Sequence, residues 1–278
     1  MQRIGLRAVL CGAVAPNVAG NGAPRRGWAR RGSAGLGPAG HGKGAMRKQL
    51  NSQVGNRQMR KYEVSITGNT PLLMHWDNID WADRMDEWKN DPGSKKVSKA
   101  GDDRSPAWRW IGSMYHDGTN AAVPSDNLMR CLMEGGAMVP VPGGKSGKTF
   151  KSQSQSGMMV NEPFWPVDTG NGFVPIDEVN KLLKQEDFAV HKQTAEEFGF
   201  SLFVKRAKVG ASKHIRVRPR FDTWSAKGTL TVWDDQITER VLIDILRYAG
   251  QYKGLGDWRP GSKTPGSFGM FAASVKAV

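Results

Sequence analysis

Residues Ile237–Phe271, ITERVLIDILRYAGQYKGLGDWRPGSKTPGSFGMF, read as a helix, a glycine-rich basic loop and the start of a strand. Val241, Leu242, Ile245, Leu246 and Ala249 recur at helical spacing. Thr238 suits the N-cap, because its hydroxyl can accept from a free first-turn amide. Ile237 and Leu242 occupy the two positions of a hydrophobic staple. Glu239 in the first turn and Arg247 in the last complement the helix dipole, and Gly250 reads as the residue that ends the helix. Beyond it, Gly254, Gly256, Gly261 and Gly266 allow close backbone approach to a ligand. Lys253, Arg259 and Lys263 bring charge, and Trp258 brings an aromatic face. Such a loop suits phosphates, and it equally suits a long turn with solvated charges.

Upstream, Lys213–Phe221 alternates as a strand, with Ile215, Val217 and Phe221 on one face and His214, Arg216, Arg218 and Arg220 on the other. Like charges on one strand face repel unless something anionic meets them. That anion is either a nucleic-acid backbone or carboxylates reaching across an open sheet. Phe198–Val204 and Gly228–Trp233 read as further strands, residues 176–190 as a short helix, and the last strand begins near Ser267.

The front of the globular part opens on a half-buried strand at Lys61–Thr67, with Tyr62, Val64 and Ile66 on its core face. Trp76–Asn120 holds Trp76, Trp81, Trp88, Trp108 and Trp110 among many charges and reads as an insertion projecting from the core. Its tryptophans suit base stacking or packing of the insertion onto a sheet. Ser125 is placed to cap a helix over residues 125–134, whose free amides, with Asn127, could meet a phosphate. The string GKSGKT at 144–149 is not a P-loop, since position 142, where the motif needs glycine, is Pro142. What remains there is a flexible basic loop with Lys145, Lys148 and Lys151, and residues 161–175 read as a Pro/Gly-rich connector.

Strand, insertion, helix, strand, strand, helix, strand is the split βαβ order of a ferredoxin-like, RRM-like core. The expected class is therefore α+β: an elaborated ferredoxin-like domain over 59–278 with long insertions at about 76–120 and 136–175.

Charge sharpens this outline. The 278-residue chain carries a net charge of +14, yet residues 1–60 hold 11 Lys/Arg and no Asp or Glu, which leaves 29 basic against 26 acidic residues in the remainder. A nucleic-acid site in the globular part must therefore be a local patch. Residues 1–58 are Ala-, Gly- and Arg-rich without an apolar period, so no packed core is expected of them. They suit an organellar transit peptide, a disordered nucleic-acid-binding tail, or sequence ahead of a true start at Met46 or Met59. Two cysteines, Cys11 and Cys131, argue against a disulfide framework or a cysteine-rich zinc site, which favours a reduced, cytoplasmic setting. No apolar run of about 18 residues is present, so no transmembrane helix is expected. No metal or cofactor is implied.

Three motifs carry a family resemblance spanning Lys61 to Val275. EVSITGNTPLLMH (63–75) looks like the opening strand and Pro-Leu turn of the RAMP superfamily, the RNA-binding proteins of CRISPR effector complexes. VPSDNLMRCLM (123–133) resembles that family's strand-to-helix step, and GLGDWRPGSKTPGSFGMF (254–271) its C-terminal glycine-rich loop. The chain is similar in the same way to bacteriophage proteins. The resemblance implies a ferredoxin-like core holding a guide-RNA backbone, often within a filament or multisubunit ribonucleoprotein. Carried onto this chain, it points to Lys253, Gly254, Gly256, Arg259 and Lys263, with Ser125 and Asn127 at the helix N-terminus.

The expected function is non-catalytic binding of RNA or single-stranded nucleic acid through Lys253, Gly254, Gly256, Trp258, Arg259, Lys263, Arg216, Arg218, Arg220, Ser125, Asn127, Lys145 and Lys148. Two alternatives stand beside it. One is a metal-independent endoribonuclease using His75, His116, His191 or His214. The other is a phage assembly or scaffold protein that holds no nucleic acid.

Overall fold

Strand β1 (Arg60–Gly68) places Tyr62, Val64 and Ile66 in the core and alternates them with polar residues. The computed structural model describes residues 59–97, 99, 101–144 and 147–278. The basic N-terminal extension and Lys145 lie outside the described residues. After β1 come β2 (Leu72–Leu73), helices α1 (Ile79–Asn90) and α2 (Pro92–Val97), and a 3-10 segment at Ala107–Ser113. Next are β3 (Ala122–Pro124), α3 (Ser125–Gly136), α4 (Lys151–Ser156), β4 (Met158–Val160), β5 (Phe164–Asp168), α5 (Ile176–Lys181) and α6 (Phe188–Glu197). The chain closes with β6 (Ser201–Val209), β7 (Ser212–Phe221), β8 (Ser225–Val232), α7 (Glu239–Tyr248) and β9 (Phe271–Ala277). The class is α+β.

The strands form two sheets whose described pairs are all antiparallel. The larger has the order β3-β5-β8-β1-β9, with β4 also paired to β8, and the smaller has the order β2-β7-β6. Helices α3 and α7 pack on one face of the larger sheet. Leu128, Cys131 and Leu132 from α3 and Leu242, Ile245 and Leu246 from α7 join Tyr62, Val64, Ile66, Leu230 and Val232 in one core. Full burial of each such Leu or Ile contributes about 1.5–3 kcal/mol. The two helices approach closely at Gly135, where a Cβ would lie 2.6 Å from the Ile245 carbonyl oxygen. The other face of the sheet is polar along β1 and β8, and Lys227 there meets Glu63 at 2.7 Å.

Several expectations change. The connector at 161–175 contains β5, in which Trp165 and Val167 are buried in strand alternation. Pro163 and Pro166 hide that period in the sequence. Trp165 covers Gly228, where a Cβ would come within 2.0 Å of the indole Nε1. The helix expected over 176–190 breaks into α5 and α6. Helix α6 is capped by Asp187, whose carboxylate accepts from the Ala189 amide at 2.8 Å, and its buried stripe is only His191 and Ala195. Strand β6 starts later than expected and runs five residues further, to Val209. Ser125 is the first residue of α3 rather than its cap, because Pro124 holds the extended cap position and the Ser125 amide donates to the Pro163 carbonyl at 2.8 Å. The helix of residues 239–248 does not stop at Gly250. It runs on through one π turn to Gly254, which has φ +70°. Gly250 serves packing instead, since a Cβ there would lie 2.1 Å from the Phe271 carbonyl oxygen.

The tryptophan-rich segment projects only in part: α1 and α2 are largely exposed, with Met85 the one buried residue of α1, whereas the 3-10 segment enters the core. Trp108 and Trp110 are buried in it. The Trp110 indole donates to His191 Nδ1 at 3.0 Å and packs on Phe200. Trp81 and Trp88 pack on Trp108, and the Arg84 guanidinium lies 5.4 Å from the rings of both Trp81 and Trp108. These aromatics serve packing.

Candidate nucleic-acid interface

The β6–β7 register sets Phe203 opposite Arg218 and Lys205 opposite Arg216, so these four share one face of the small sheet. The loop after α7 folds against this sheet through the other edge of β2. The Asp257 amide donates to the Leu73 carbonyl and the Gly269 amide to the Pro71 carbonyl, each at 2.7 Å. At Gly256, φ is +74° and a Cβ would lie 2.4 Å from the Leu73 oxygen. Further amides close the loop on itself: Leu255 donates to Gly269, Gly261 to Lys253, Gly266 to Arg259 and Phe268 to Trp258. The glycines thus shape the loop, and many of the amides that a phosphate would meet are already bonded. What the loop offers a ligand is chiefly side chains.

Between loop and hairpin lies a groove of about 510 Å³. Its lining includes five basic residues (Lys205, Arg206, Arg216, Arg218 and Lys263) against a single carboxylate, Asp257, with Trp258 and Phe203 as aromatic surface. The groove brings together Arg216, Arg218, Trp258 and Lys263 from the sequence expectation and adds Lys205 and Arg206. Those two escape a reading of the sequence that ends the strand at Val204.

The β7 arginines do not stand unpaired. Arg216 meets Asp103 at 3.4 Å, and Asp103 also holds Arg109 at 3.1 Å. Arg218 pairs with Asp257, and Arg220 with Asp222. The carboxylates that relieve the repulsion come from the tryptophan-rich segment, the glycine-rich loop and the end of β7. The positive charge left over belongs to Lys205, Arg206 and Lys263, which make no ion pair with a carboxylate among the described residues. The Lys205 ammonium sits 3.3 Å from the centre of the Trp258 ring.

A second hollow, of about 300 Å³, shares Asp257, Ser262 and Lys263 with the groove and adds His75, Tyr115, Asn127, Arg130 and Arg259. The Tyr115 hydroxyl donates to the His75 carbonyl at 2.9 Å, and burial raises its pKa. The His75 ring reaches solvent, yet the protein packed around it, and then the charge of Arg218, hold its pKa below the usual imidazole value. Arg259 ties the loop to α3 through Glu134 at 3.6 Å, and Glu134 also meets Arg130 at 3.0 Å.

The remaining sequence candidates lie elsewhere. Lys253 lines a third hollow with Asp126, Glu134 and Lys151. Gly254 is buried at the helix end, and Lys148 is exposed in a turn whose carbonyl accepts from the Val141 amide. Arg220 sits along β7 beside Phe203 but does not line the groove. Of the four candidate histidines, His116 accepts from the Gly118 amide, His191 is buried against Trp110, and His214 abuts Gly101.

Among the described residues, no three His, Cys, Asp or Glu side chains come together as a metal site. No described helix is long and apolar enough to cross a membrane. No protein-family model matches the chain, and no curated protein is similar to it in sequence.

Proposed function

We propose that the protein binds RNA or single-stranded nucleic acid without cleaving it, using the groove between the β6–β7 hairpin and the glycine-rich loop. The observation that carries this reading is the convergence of Lys205 and Lys263 with the Trp258 ring in one open groove, which Arg206 also lines. Cations at the rim suit phosphates, and an aromatic wall suits bases.

The fold supports a ferredoxin-like reading of the RAMP kind. Strands β9-β1-β8-β5 lie side by side and antiparallel, and α3 and α7 follow the first and third of these strands in chain order. Split βαβ units give that arrangement. A subunit of a CRISPR-effector-like or phage ribonucleoprotein is the setting this reading suggests.

The test is fluorescence anisotropy with a labelled 20-nucleotide single strand. Replacing Arg206 and Lys263 together with Ala should weaken binding roughly tenfold, since each lost phosphate contact gives up counterion release, and should leave the urea midpoint unchanged. Unchanged affinity in a folded variant contradicts the proposal. Cleavage of the RNA by the wild type that disappears in His75→Ala would turn the reading toward an endoribonuclease.

A further inference from the structure

We propose that the groove face of Trp258 is a stacking site for an unpaired nucleobase, and that Lys205 covers this face until a strand arrives. The proposal rests on the groove being a nucleic-acid interface and specifies what is recognised there. Trp258 has φ +52° and is the one non-glycine residue with positive φ among the described residues. Side chains are sterically disfavoured in that backbone region. Glycine fills the comparable positions in and beside this loop, at Gly254, Gly256 and Gly269. At 258 the chain keeps an indole despite the backbone cost, and such outliers gather where a side chain must be held for a purpose.

The indole is seated rather than loose. A Cβ at Gly266 would lie 2.4 Å from its Cδ1 atom, so only glycine lets the ring sit there. Phe268, which does not line the groove, stacks on the ring with centroids 5.8 Å apart and planes within 21°. Within the groove, the ring carries the Lys205 ammonium, 3.3 Å from its centre. An exposed cation–π contact is weaker than the stacking of a base on an aromatic side chain. A base therefore displaces the lysine, and the long flexible stem of Lys205 lets its charge move to an adjacent phosphate. Phe203 and Ala207 continue the apolar wall, while Arg206 and Lys263 supply further cations. The ligand class is a single strand with at least one unstacked base, of RNA or DNA, because bases within a duplex present no free face.

The experiment compares anisotropy titrations of the full chain with three probes of equal phosphate number: a single-stranded oligothymidylate, an abasic-spacer strand and a duplex. The wild type should bind oligothymidylate at least about fivefold more tightly than the abasic strand. Trp258→Ala should erase that preference. Trp258→Phe should retain part of it, and Lys205→Ala should weaken abasic binding yet preserve the preference. Equal wild-type affinity for the base-bearing and abasic strands overturns the stacking site while leaving the phosphate groove standing. Equal loss for both strands in Trp258→Ala overturns it too. No wild-type binding to any probe overturns the groove's function and the stacking site together. If Trp258→Ala proves unfolded by its urea midpoint, the wild-type and Trp258→Phe preferences decide.

Discussion

Gly256 and Gly143 share a left-handed backbone but not their surroundings. Gly256 has φ +74° and the Leu73 oxygen within 2.4 Å of a would-be Cβ, whereas Gly143 has φ +66° and nothing within 4 Å. Gly256→Ala should therefore cost on the order of 3 kcal/mol, combining backbone strain with displacement of β2, and Gly143→Ala only about 1 kcal/mol. Urea midpoints of the two variants check this, and equal shifts would show that β2 yields freely. His191 gives a pH signature. Its Nδ1 accepts from Trp110 and its Nε2–H donates to the Gln185 carbonyl at 2.8 Å, so the neutral ring is the bonded form. Burial lowers its pKa, with the Gln185 carbonyl opposing. The unfolded chain takes up this proton near pH 6.5, and the folded chain does so only at lower pH. The contribution of His191 is thus complete above about pH 6.5 and is lost as pH falls through the lowered folded value. In His191→Asn, the urea midpoint should fall less between about pH 7 and pH 5 than in the wild type.

Among the elements, α7 was legible because its signals agree. Five apolar residues keep a helical period, and Thr238 does cap it, its hydroxyl accepting from the Val241 amide at 3.3 Å. Thr238→Ala should lower stability by about 1 kcal/mol, read from the urea midpoint; no shift would mean that solvent replaces the cap without loss. Strand β1 was legible for a similar reason, since one face is buried and the other polar. Elements whose signals conflict were not. Strand β5 carries Pro166 and follows Pro163, close to its buried Trp165 and Val167, and α6 buries a histidine where an apolar residue would mark the stripe. The π turn after α7 was invisible because a glycine can end a helix or admit a neighbour, and only the Phe271 carbonyl beside Gly250 tells which.

Across the molecule, the chain passes between the two sheets four times, from β1 to β2, β2 to β3, β5 to β6 and β7 to β8. The first leads from the core strand to the edge that receives the glycine-rich loop. This places the loop beside the β6–β7 hairpin, and the groove results from that placement. The loop and the arginine-bearing strand were each visible in the sequence, through glycine spacing and alternation. Their carboxylate partners were not: Asp103 reaches Arg216 from 113 residues away, and such pairings leave no local trace. The groove's unneutralised charge therefore moves from the β7 arginines to Lys205, Arg206 and Lys263.

That relocation is tested most directly by the salt dependence of single-strand binding, measured for the wild type and for the variant with Lys205, Arg206 and Lys263 all changed to Ala. For the wild type, log K should fall linearly with log salt with a slope of about −0.7 per phosphate contacted, and the triple variant should lose about two units of that slope while remaining folded. Binding that ignores salt, or a slope the triple variant leaves unchanged, would contradict the groove as the nucleic-acid interface.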